Sequence, residues 1–187
     1  MKIKKVALAL FATGLVLSSS VVSAAGAELS QRTQGAGGVI NFHGEVTVDS
    51  CDVTTGSKNP SVELGTWAVN YFNEHTETSP TQFKINVENC PESVKEVAVL
   101  FDGAKDSHNS TLLQLNPGEE SATGLGVKIY NDDQTTAIEP GQVSDTLEPN
   151  KDGTAELTFY ASLAKTGSDD VTAGHVNAVS NFLMVYN

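Results

Sequence analysis

G-H-V-N-A-V-S-N-F-L-M-V-Y-N, residues 174–187, decides how the chain folds. Val176, Ala178, Phe182, Met184 and Tyr186 share one parity, with Ser180 as a polar gap. Side chains alternate between the two faces of a strand, so these residues line one side of it. Val179, Leu183 and Val185 make the other parity apolar as well. A chain terminus is ordinarily polar and frayed. Two readings are open: a core strand of a β-sandwich, or a strand lying beside something that this chain does not supply.

The opposite end sets the compartment. Lys2, Lys4 and Lys5 precede an apolar run, residues 6–17, and Val22-Ser23-Ala24 places small residues where a signal peptidase cuts. This predicts a secretory signal peptide over residues 1–24, with cleavage after Ala24 or after Ala27. The run is too short for an ordinary spanning helix, and no membrane insertion is expected. The remaining 163 residues suit one domain. Three of the 11 Lys+Arg lie in the leader and none of the 23 Asp+Glu do, so 8 basic side chains face 23 acidic ones, a balance of −15. That excess argues against nucleic acid and anionic membrane as partners. In an exported protein the isolated pair Cys51 and Cys90 is expected to form one disulfide rather than stay as two thiols.

Between the ends the pattern is short strands and turns. Residues 25–38 are small and polar, the composition of a flexible arm. In V-I-N-F-H-G-E-V-T-V-D-S-C, residues 39–51, Ile40, Phe42, Gly44, Val46 and Val48 alternate with polar neighbours. From 38 to 53 the pattern is about three times a mean strand, as if two strands lay end to end. Further strands are expected at 61–64, 83–90, 94–101, 126–130 and 155–161, separated by turn clusters such as Asn116-Pro117-Gly118. No segment has a helical period. The chain therefore reads as all-β, an immunoglobulin-like sandwich in general architecture.

Catalytic chemistry is not visible. His43, His75, His108 and His175 stand at no metal spacing, no serine lies in a nucleophile elbow, and there is no phosphate loop. Asn131-Asp132-Asp133 lacks the rest of a calcium loop. Trp67 and Tyr71 read either as a sugar-stacking pair or as packing. No enzyme, cofactor or metal is expected.

Taken together, the two ends and the cysteines resemble the pilin subunits of fimbriae assembled by the chaperone–usher route. The resemblance rests on Gly174 fourteenth from the end, penultimate Tyr186 with alternating hydrophobics between, the extension G-G-V-I-N-F-H-G-E-V over residues 37–46, and F-x-I-x-V-x-N-C ending at Cys90. It implies an incomplete immunoglobulin-like β-sandwich completed by a donor strand from a neighbouring subunit. Residues 25–45 would be the N-terminal extension and 46–187 the pilin domain. Ile40, Phe42, Gly44 and Val46 would form the donated face. Gly174, Val176, Ala178, Phe182, Met184 and Tyr186 would border the acceptor groove and contact the chaperone. The implied partners are copies of itself or related pilins, a periplasmic chaperone and an outer-membrane usher. The implied route runs through the periplasm to a fimbrium on the cell surface, which supports cell adhesion. A minor adaptor subunit of the same fibre and a self-complete secreted carbohydrate-binding β-sandwich are the alternatives.

Overall fold

Alternation along Ala155–Lys165 builds the centre of the molecule. In this computed structural model, which describes residues 37–44, 50–167 and 170–187, Ala155, Leu157, Phe159, Ala161 and Leu163 are buried on one side of that strand. By chain contacts, residues 1–45 and 46–187 are separate units. The second unit contains the strands β1 (Asp52–Val53), β2 (Thr81–Glu88), β3 (Val97–Asp102), β4 (Leu113–Gln114), β5 (Leu125–Tyr130), β6 (Ala137–Ile138), β7 (Ala155–Lys165) and β8 (Asn181–Tyr186).

Six strands form the larger sheet in the order β1-β2-β7-β5-β4, with β6 added to β5. All of its pairings are antiparallel, and register puts like with like: Phe83 opposite Phe159, Ile85 opposite Leu157, Val127 opposite Leu163. Among the described residues the second sheet consists of the strands β3 and β8. Val97, Val99 and Phe101 of β3 point inward and are buried. Opposite them in register stand Tyr186, Met184 and Phe182 of β8. The sheets meet through three rings, with Phe101 edge-on to Phe159 at 5.0 Å and 6.0 Å from Phe83. Edge-to-face pairs of this kind add specific geometry to the burial of large apolar area.

A disulfide joins Cys51, just before β1, to Cys90, just after β2. Glu77 fixes the connection before β2. Its carboxylate accepts hydrogen bonds from Tyr130 and Ser162, each at 2.5 Å, with the Lys128 ammonium at 3.5 Å. Charge-assisted bonds to one acidic group in this way anchor a connecting segment more firmly than neutral ones.

Three differences from the sequence pattern have physical reasons. A single helical turn, α1 (Tyr71–Glu74), is too short to show a period, and buries Phe72. Residues 174–180 are outside β8 because their backbone bonds go elsewhere, Asn116 N–H to the Asn177 carbonyl at 2.7 Å and His175 N–H to the Glu120 carbonyl at 2.7 Å. Residues 61–64 keep the expected alternation, with Val62 and Leu64 half-buried, but join no ladder. The signal-peptide residues and Val46 lie outside the described residues. No described helix is long and apolar enough to cross a membrane.

Candidate functional site: an apolar groove beside the last strand

Among the described residues β8 has a partner on one edge only. In an antiparallel pair, alternate residues bond to the neighbour and those between direct N–H and C=O groups the other way. The free edge of β8 therefore offers an unfilled row of donors and acceptors, a template for another strand.

Beyond that edge lies a groove of about 840 Å3. Its floor is the core itself, with Phe83, Ile85, Phe101, Val127, Ile129 and Ala161 contributed by both sheets. One wall is Val176, Ala178, Phe182 and Met184; the opposite wall is the ladderless stretch 58–65. Val62, Leu64, Val176, Ala178, Phe182 and Met184 all pack partly buried against the core cluster. A closed sandwich would place a strand here, between 58–65 and β8, and cover these side chains.

Gly174 and Tyr186 do not line the groove; they fix the two ends of its wall. A Cβ at Gly174 would stand 2.4 Å from the Ala122 nitrogen and 2.5 Å from the Ser121 carbonyl carbon. Only glycine permits so close a backbone approach, and the approach seats residues 172–177 along 116–123. Gly174→Ala should cost about 1–3 kcal/mol, as overpacked sites do, and lower the melting temperature of the folded subunit. Melting like the wild type would show that the 120–122 turn yields freely. At the other end the Tyr186 hydroxyl donates to the Cys51 carbonyl at 3.1 Å. Burial pushes the Tyr186 phenol above its ordinary pKa, so it stays protonated and keeps donating. That bond spans from the small sheet to the lead-in of β1.

The first unit has the complementary chemistry. Val39, Ile40 and Phe42 are 88%, 75% and 89% exposed. A Cβ at Gly44 would meet nothing within 4 Å. Large apolar side chains this exposed have no folding role where they stand.

Trp67 and Tyr71 are packed together, ring centroids 4.8 Å apart, and sit half-buried against the core. The indole N–H is already used on the Leu64 carbonyl at 2.7 Å, and His75 stacks on the tyrosine at 4.1 Å. The pair is packing, not an open sugar platform. Among the described residues no cluster of His, Cys, Asp or Glu could hold a metal ion. The sequence pattern missed the groove floor and the part played by 58–65. The alternation in Val62 and Leu64 was the available signal.

The same architecture occurs among solved structures. A chaperone–usher pilus structure matches with a TM-score of 0.63 at 22% identity, covering 83% of this chain and 99% of the other. The crystal structure of the P pilus rod subunit PapA matches with a TM-score of 0.62 at 21% identity, covering 73% and 99%. The S-fimbrial protein subunit SfaG of Escherichia coli O6:K15:H31 (strain 536 / UPEC) is 32% identical over 152 residues, 81% of this chain and 84% of its own. Long polar fimbria protein A of Salmonella typhimurium (strain LT2) is 32% identical over 186 residues, 98% and 97% of the two chains. These matches do not favour a minor adaptor or a self-complete carbohydrate binder. The family model described as fimbrial protein matches residues 40–187, the whole folded body and part of the extension, and the chain belongs to that family.

Proposed function

We propose that this structural fimbrial subunit polymerises head-to-tail by donating residues 40–46 to the groove of the next copy. The single observation that carries the reading is an apolar groove open along the free edge of β8, in a chain that also exposes an alternating apolar arm. Ile40, Phe42 and Val46 would enter the groove with Gly44 on the same face, where a missing side chain permits close approach. Burying three such side chains contributes about 5–9 kcal/mol, at about 1.5–3 each. The backbone ladder on β8 adds to this, as in other strand-addition complexes. A donor arm and an acceptor groove at different places on one molecule make a heterologous contact, which extends into a fibre instead of closing.

On this reading residues 1–24 are a signal peptide, 25–45 the extension and 46–187 the pilin domain. Before assembly the same groove needs a temporary occupant, because an open apolar edge aggregates. A periplasmic chaperone lending a strand supplies one, with Val176, Phe182 and Met184 in contact, and an outer-membrane usher is the place of exchange. Deletion of residues 25–45 tests the assignment. The deleted subunit should still be captured by its chaperone and still accept a strand, but should add nothing to a neighbour. Continued fibre growth from that deletion alone would overturn it.

A further inference from the structure

The two walls of the groove are held in different ways. β8 is fixed along its whole length by its register with β3. The opposite wall has no such support. Among the described residues, positions 59–66 make no backbone-to-backbone hydrogen bond, although Val62 and Leu64 pack half-buried against the core. Just before this stretch the chain is moored to β2, where the Asn86 N–H donates to the Ser57 hydroxyl at 2.9 Å. Near its far end a single hydrogen bond reaches it, from the indole N–H of Trp67 to the Leu64 carbonyl at 2.7 Å. The turn at Gly65 makes this bond possible. Gly65 has a φ of +82°, in the left-handed region that favours glycine. A Cβ there would stand 3.4 Å from the indole nitrogen. Tyr71 of α1 seats the indole, with the ring centroids 4.8 Å apart, and α1 is itself pinned by buried Phe72. Trp67 does not line the groove; it grips the wall from outside.

We propose that Trp67 is a positioning residue for strand acceptance, a role that rests on the donor-strand reading. Backbone groups alternate in direction along an extended segment, so holding the Leu64 carbonyl sets the direction of its neighbours. A strand arriving between 58–65 and β8 then meets two ordered edges instead of one. Fixing a backbone costs entropy at every residue, and a wall ordered in advance spares the incoming strand that cost. The tether acts before and during entry. Once a strand lies along the wall, the new ladder holds residues 59–65 and the indole bond becomes redundant. Trp67 therefore governs how fast the groove fills, and not how long it stays filled.

The test uses full-length subunits held by their chaperone, with their own arms silenced by Phe42→Asp. They are offered a synthetic peptide of residues 37–46, and its uptake and release are followed on native gels. Trp67→Phe keeps an aromatic ring on Tyr71 and removes the donor. Gly65→Ala keeps the donor and disturbs the turn that aims it. Uptake should slow about three- to tenfold in both, the range spanned by one net hydrogen bond. Release of the peptide from filled subunits should match that of subunits with Trp67 and Gly65 intact. Unchanged uptake in both variants would overturn the proposal. So would release that quickens as much as uptake slows, because the indole would then serve the stability of the filled body and not its filling. Failure of the donor-strand reading looks different: the peptide is then not taken up even with Trp67 and Gly65 intact, and the role of the tether falls with it.

Discussion

A subunit carrying Phe42→Asp is expected to fold, to accept a neighbour's strand, and to donate none of its own. Phe42 is 89% exposed and belongs to a unit separate from the folded body, so an aspartate there removes no packing from its own chain. The effect is confined to the groove of the next molecule. There the substitution forfeits about 1.5–3 kcal/mol of apolar burial. It also demands that a carboxylate enter a floor of phenylalanine, valine and isoleucine, a cost of several kcal/mol per ion after relaxation. Together these remove most of the side-chain gain from docking. The ladder of gel-stable polymers should disappear, while the thermal melt of the subunit stays that of the wild type. Mixed in excess with wild-type subunits, the variant should shorten fibres without preventing them from starting. Its groove still receives a strand, and its dead arm ends the chain. Wild-type ladders from the variant alone would remove Phe42 from the donated face.

The elements legible from the sequence are those in which alternation is long enough to count. β2, β3, β5 and β7 each run six residues or more and were expected within a few residues of where they lie. β4 and β6 have two residues apiece, too few to show a period, and the single turn of α1 likewise. The Glu77 cluster was invisible because Tyr130 and Ser162 are 53 and 85 positions away in the chain. Where the pattern and the structure part company most instructively is in unpaired strands. Residues 61–64 alternate in burial without a ladder, residues 40–43 alternate in sequence with Ile40 and Phe42 in water, and β8 alternates with one edge bare among the described residues. Each has the composition of a paired strand and lacks a ladder partner on at least one edge among the described residues. Local sequence specifies that a segment is strand-like; it does not specify which segment, or whose, lies beside it. The parity of 176–186 gave the inward face correctly, with every even position from 176 to 186 half-buried. The roles of Gly174 and Tyr186 depend on backbone approach and on a contact 135 residues away, which no local pattern carries.

Replacing Cys51 and Cys90 together by alanine is expected to cost about 4 kcal/mol on the chain-entropy account of a cross-link spanning 39 positions. Single domains hold only about 5–15 kcal/mol in all, and this one leaves a strand's worth of its core uncovered. The loss should therefore fall more heavily here than on a closed sandwich. Its location sharpens the effect. The bond fastens the lead-in of β1 to the end of β2, and β1 has just two residues of ladder, Asp52 opposite Glu88 and Val53 opposite Val87. Tyr186 in turn hangs on the Cys51 carbonyl. With the cross-link gone, β1 lacks the ladder to hold its place, the tyrosine loses a fixed acceptor, and the groove wall is released at that end. In urea the midpoint of unfolding should drop sharply and the slope should steepen, because the denatured chain without its cross-link is more expanded and exposes more surface. Strand acceptance should fall in parallel, because a groove with a frayed end presents fewer ordered backbone groups to an incoming strand. A midpoint equal to the wild type's would mean that the ladder and the Tyr186 bond hold β1 unaided. A lowered midpoint with undiminished strand acceptance would separate the cross-link from the groove and confine it to overall stability.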